Sequence, residues 1–182
     1  QPEKIDARSG PTPDAEGVEV RLRKLRRTTP IDADDVRKGL AKRLTICGTA
    51  FEVKVNGTAI APGDRLNKDD CAEDQCWDVT SLPPELAIGD GLTVTGWIGF
   101  LEESSQRHRG VDLFATGKAV ELGSYFNLSS THAQFARAYL VGEVHADFLD
   151  AGQDLVSTAR NSVVWETSQA TTLQQWGQKV LT

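Results

Sequence analysis

The chain has 182 residues, 39% of them hydrophobic and 25% charged, with a net charge of −6 at pH 7. That length suits one ordinary domain, or one domain and part of another. No apolar run is long enough to span a bilayer, residues 1–9 lack the apolar stretch of a signal peptide, and the acidic balance argues mildly against a dedicated nucleic-acid binder, whose phosphate contacts need clustered Lys and Arg.

Residues 1–16 carry Pro2, Gly10, Pro11 and Pro13 among polar neighbours and read as a flexible lead-in. Residues 18–25 alternate, with Val18, Val20 and Leu22 between charges, as in a half-buried strand. Arg21, Arg23, Lys24, Arg26 and Arg27 form one basic cluster there, read as the solvated face of an exposed strand edge in preference to a nucleic-acid site. After Pro30 a helix is predicted over 32–45. Asp32 caps it, Asp34 and Asp35 meet the positive end of its dipole, and Val36, Leu40 and Leu44 define its buried face.

Phe51, Val53 and Val55 alternate with Glu52 and Lys54, and Asn56-Gly57 is a strong hairpin signal. Residues 61–89 read as a long polar connection with one short strand near Trp77 to Thr80. A strand follows over 92–101, then a polar loop over 102–110. A hairpin over 111–122 turns at Thr116-Gly117. Ser130 or Thr131 caps a short helix ending near Ala138, and residues 139–148 are the best-defined strand. A loop runs to Thr158, and the rest reads as helical, with Leu173, Trp176 and Val180 on one face. The order predicts an α+β fold, a mixed sheet with helices on one side.

The chain holds no methionine, so its start at Gln1 is expected to lie inside a longer protein. Three cysteines, Cys47, Cys71 and Cys76, without a secretory signal predict reduced thiols and a cytoplasmic location. The spacing of Cys71 and Cys76 permits half a metal site, with no second pair to complete it.

No phosphate-cradling loop, catalytic triad spacing or zinc signature is present. Strand alternation sets Glu143, His145 and Asp147 on one face. Such a row can bind a metal. The preferred reading is a solvent-facing strand surface without metal, with Val144, Ala146 and Phe148 toward the core, because the sequence places no further ligand. Arg160, at a loop-to-helix junction after the acids Asp147, Asp150 and Asp154, is suited to reach a phosphate, since its planar fork donates in fixed geometry.

Three segments, in order, resemble the region after the nucleotide-binding fold in the gyrase, heat-shock chaperone, histidine kinase and mismatch-repair (GHKL) ATPases, above all the heat-shock-ninety-like ones. They are Gly17-Val18-Glu19-Val20-Arg21-Leu22 with the capped helix and Phe51 to Gly57, then Gly110 to Lys118, then Tyr139 to Asp150 with Ser157-Thr158-Ala159-Arg160. The resemblance implies a middle, or transducer, domain with a β-α-β core over 90–182. Residues 17–60 would then end or link to the ATP-binding domain, and 61–89 would connect. It implies that Arg160, with Asn161 beside it, serves the γ-phosphate of ATP, and that ATP and Mg²⁺ are cofactors of the parent protein. It also implies an N-terminal ATP-binding domain of the same protein as partner, a client that is protein or DNA, a homodimer, and no membrane. On that reading the fragment alone neither hydrolyses ATP nor binds it well. The alternatives are a stand-alone metal-dependent enzyme built on Glu143, His145 and Asp147, and a non-catalytic interaction module recruiting partners at its strand edges.

Overall fold

The computed structural model describes residues 29–47, 52–89, 91–105, 107–128, 136–151, 155–157 and 161–182. The strand expected over 18–25 and its basic cluster lie outside these residues. The chain divides into two units, residues 1–30 and 31–182, and the architecture that follows is that of the second.

Helix α1 spans Ala33–Arg43, and its start is set as its sequence predicts: the Asp32 carboxylate accepts hydrogen bonds from the backbone N–H groups of Asp34 and Asp35. A short hairpin follows, β1 (Lys54–Val55) and β2 (Thr58–Ala59), turning through Asn56 and Gly57 at φ 50° and 84°. Ala41 of α1, Cys47 and Ile60 form a small core with Leu40, Leu44 and Val53. The expected amphipathic face is thus used, but against this hairpin.

The remaining strands are β3 (Cys76–Asp78), β4 (Thr95–Phe100), β5 (Gly110–Ala115), β6 (Lys118–Ser124) and β7 (Leu140–His145). They form one five-stranded sheet in the order β3-β4-β7-β5-β6. Every pair is antiparallel except β5 with β7, which is parallel, so the sheet is mixed. β7 lies in the middle, and all its residues but His145 are buried, as a strand covered on both faces requires. β5 and β6 join through Thr116 and Gly117, both at positive φ, 49° and 75°. Glycine meets that second position without a Cβ clash.

Helix α2 spans Ser168–Val180, with Thr167 as its cap. Its Ala170, Leu173 and Trp176 pack with Val111, Leu113, Ile98 and Val144 of the sheet into the main core. The Trp176 indole N–H, an awkward donor to bury, reaches the Leu86 carbonyl at 2.9 Å.

The fold is α+β with a mixed sheet, as expected. The placement of helices on one side is corrected. α2 covers the face presented by Val111, Leu113 and Val144, while Lys42 of α1 reaches Asp112, whose side chain projects to the other face. The physical reason is that α1 closes onto its own hairpin and onto the β5–β6 turn, where the Thr45 N–H meets the Gly117 carbonyl at 3.0 Å. No helix among the described residues is long and apolar enough to cross a membrane.

Candidate functional site

The sheet face away from α2 carries the charged residues of β5 and β7. Alternation along β7 turns Leu140 and Val144 to the main core and Glu143 and His145 to this face. β5 runs parallel beside it with Asp112 in register with Glu143 and Phe114 in register with His145. The His145 Nε2 lies 2.8 Å from Glu143 Oε1, and its ring stacks on Phe114 at 5.3 Å between centroids.

Three outlying segments cover this face. In α1, Asp35, Lys38, Gly39 and Lys42 recur at spacings of three and four, opposite the apolar stripe of Leu40 and Leu44, so they form one polar face. Lys42 Nζ stands 3.4 Å from Asp112 Oδ2 and donates to the Arg107 carbonyl at 3.0 Å. The segment 61–70 is held by the Asp64 carboxylate, which accepts from the Ala61 N–H at 2.8 Å and from Arg37 Nε at 2.9 Å. The same hydrogen bonds hold the Asp64 carboxyl below its ordinary pKa, the Ala61 N–H foremost. Arg65, next in sequence, then lies 3.6 Å from Glu143 Oε2. The loop before β5 supplies Arg107, paired with Asp35, and His108. Burial, with Lys42 and Arg107 nearby, pushes the His108 imidazole below its usual pKa.

Between these segments opens a cleft of about 370 Å³. Its walls carry Lys38, Lys42, Arg43, Arg65 and Arg107 against the acids Asp35, Asp64 and Asp70, while Asp112 and Glu143 of the sheet pair with Lys42 and Arg65. Behind Lys42 the Asp112 carboxyl is pushed up to about 6, chiefly by burial. Lys42 and the Gly123 N–H, which donates to Asp112 Oδ1 at 2.8 Å, oppose that rise, and the neighbouring Glu143 adds to it.

The row expected as Glu143, His145 and Asp147 is divided. Glu143 and His145 pair, while Asp147 Oδ1 accepts the Thr116 N–H at 2.8 Å and holds the β5–β6 turn. The face is also not open to solvent, as its preferred reading had it: Glu143 is only 9% exposed. A second cavity, of about 300 Å³, is lined by His145 and Asp147 with Gly91, Thr93 and Thr95. Arg160 lies outside the described residues. Asn161 is exposed, bonded to Ser157 at 2.9 Å, and lines neither cavity. The chain from Asn161 to Glu166 is not helical, and the helix begins at Ser168. Asp112, Lys42 and Arg65 escaped the sequence reading. Only the parallel β5–β7 pairing sets Asp112 beside Glu143, across 31 positions of chain, and no local pattern encodes it.

A protein of Herpetosiphon aurantiacus that carries the provisional name type II restriction enzyme HgiDII is 26% identical to this chain over 172 residues, with 81% of this chain and 27% of the relative covered. The chain thus spans about a quarter of the length of the curated relative it matches. No protein-family model matches the chain. These findings correct the resemblance to GHKL ATPases, and with it the transducer function and the chaperone-like assignment: the relative bears a restriction-enzyme name, and no ATPase family matches. The motifs that carried the resemblance are apolar alternation followed by turn residues, which β5, β6 and β7 need simply to sit inside a sheet.

Proposed function

We propose that this chain is part of a nuclease-like protein directed at nucleic acid, and that the cleft between α1, the segment 61–70 and the sheet holds phosphate groups of the backbone. The observation that carries the reading is the cationic wall of Lys38, Lys42, Arg43, Arg65 and Arg107 over the Asp112–Glu143–His145 face. Lys38 and Arg43 are exposed, and the residues that neutralise Lys42 and Arg65 lie behind them in the sheet. Lys38 and Arg43, beside the exposed acids Asp35 and Asp70, are thus the cations a phosphate would reach from solvent. The restriction-enzyme name of the relative supports the same direction.

The test is fluorescence anisotropy of a labelled DNA duplex titrated with the protein at several salt concentrations. Binding that weakens linearly in log–log form with salt, and that loses part of this slope in Lys38→Ala and Arg43→Ala, supports the reading. Absence of binding at low salt, or a slope unchanged by both substitutions, overturns it.

A second reading, metal-dependent hydrolysis, draws on Asp112, Glu143 and His145, which share one face, although among the described residues no three His, Cys, Asp or Glu side chains are grouped closely enough to hold an ion as they stand. Two carboxylates and an imidazole are donor types that suit Mg²⁺ or Mn²⁺. An ion held there would activate water and neutralise phosphate charge. Lys42 and Arg65 carry the balancing charge for the two carboxylates in this structure. Mn²⁺ titration followed by calorimetry, with Glu143→Gln as the comparison, separates this reading from cation-only phosphate binding.

A further inference from the structure

Cys71 and Cys76 take no part in the cleft or in either hydrophobic core, yet the fold brings them together with unusual definition. Cys71 ends a short turn, Lys68–Asp70, and its N–H donates to the Lys68 carbonyl at 3.1 Å. Cys76 opens the edge strand β3 and pairs with Gly99 of β4. The chain between them doubles back tightly, with the Gln75 N–H on the Ala72 carbonyl at 3.0 Å. Both ends of that turn are clamped to one residue: the Ala72 N–H donates to the Phe100 carbonyl at 2.8 Å, and the Phe100 N–H to the Gln75 carbonyl at 2.9 Å.

The sulfur of Cys71 lies over Gly99. A Cβ at position 99 would stand 2.7 Å from Cys71 Sγ and 3.3 Å from the α-carbon of Cys76, so only glycine leaves room for the sulfur beside its partner. Burial, with the Cys76 thiol beside it, pushes the Cys71 thiol up to about 12. Cys47 is buried in the other core, with Ala41 and Ile60.

We propose that Cys71 and Cys76 form a reversible disulfide that pins the segment carrying Arg65 to the edge of the sheet. The oxidant is a hydroperoxide. The sulfur of Cys76 attacks the peroxide oxygen, the O–O bond breaks, and the protonated leaving oxygen departs as water or alcohol. The sulfenic acid so formed is attacked by the sulfur of Cys71, and its hydroxyl leaves as a second water as the S–S bond closes. Two thiols lose two protons and two electrons, and one peroxide takes them up. Both cysteines are part-exposed, as access by such an oxidant requires. Residues 65, 66 and 70 line the cleft, so the crosslink ends one residue from its wall. The pairing itself does not depend on the nucleic-acid reading.

The experiment treats the whole chain with hydrogen peroxide, blocks remaining thiols, and maps peptides by mass spectrometry. The expected product is a Cys71–Cys76 linkage, lighter by two hydrogens, reversed by a dithiol reductant, and absent from Cys71→Ser and Cys76→Ser. Hydrogen exchange of residues 62–70 is expected to slow on oxidation of the unmutated chain. Linkage to Cys47, separate over-oxidation of each thiol, persistence of both free thiols, or stoichiometric zinc retained by the pair would each overturn the proposal. A linkage that forms while exchange in 62–70 is unchanged would overturn the pinning.

Discussion

Asp112 and Glu143 stand in register on neighbouring parallel strands, and each is neutralised by a cation from outside the sheet, Lys42 at 3.4 Å and Arg65 at 3.6 Å. Burial disfavours the ionisation of Asp112, and the neighbouring Glu143 adds to that. The arrangement makes its charge state a variable of folding.

The folded Asp112 carboxyl titrates at about 6, above its ordinary 3.8. Between these values the folded chain holds a proton that the unfolded chain releases. Stability from this group is therefore greatest below the window and falls as pH rises through it. At 1.36 kcal/mol per pKa unit the full effect is about 3 kcal/mol at most. Asp64, whose carboxyl is held low, acts in the opposite sense and only below the window. In Asp112→Asn the difference in unfolding free energy between ~pH 4 and ~pH 7 is expected to shift by about 2–3 kcal/mol relative to the unmutated chain. Urea unfolding at the two pH values checks this.

Lys38 and Arg43 line the cleft from exposed positions on α1. Replacing either by Ala is expected to lower DNA affinity for all sequences alike and to reduce the salt slope by about 0.9. Surface truncations of this kind move stability by only about 0.5 kcal/mol. A thermal scan run beside the anisotropy titration keeps the two effects apart.

Lys42 is the only cation within 4 Å of Asp112 among the described residues. Lys42→Met should raise the Asp112 pKa further and destabilise the chain at neutral pH, because a part-buried carboxylate loses its partner. Adding Asp112→Asn should restore much of the loss. A double-mutant cycle by denaturant unfolding measures the coupling, expected at about 1–3 kcal/mol.

Phe126 lies flat against Gly177 of α2: a Cβ there would come within 2.1 Å of the ring. The ring is fully buried and meets Trp165 and Trp176 edge-on, so it has little room to retreat. Gly177→Ala is expected to destabilise by about 1–3 kcal/mol, despite the better helix propensity of alanine. Thermal unfolding followed by tryptophan fluorescence reads both the loss and the altered packing.

Asp32 accepts two backbone N–H groups at the start of α1, at 2.7 and 3.1 Å. Asp32→Ala should cost about 1 kcal/mol and Asp32→Asn much less. Because α1 carries Lys38, Lys42 and Arg43, the alanine variant should also weaken DNA binding, while the asparagine variant should not.

Local chemistry alone determined much of this protein. The cap at Asp32, the turn at Asn56-Gly57, the hairpin at Thr116-Gly117, the central strand after Tyr139 and the apolar stripe of Leu173 and Trp176 are each written in a few adjacent residues, because caps, turns and alternation are short-range effects. The tertiary structure decided where those pieces meet. Parallel pairing of β5 with β7 joins residues about thirty apart, sets Asp112 beside Glu143, and leaves Asp147 to hold a turn. α1 brings Lys42 across 70 positions to Asp112, and the segment after β2 brings Arg65 across 78 to Glu143. Such pairings rest on charge and shape between distant segments, and no period of 2 or 3.6 along the chain records them.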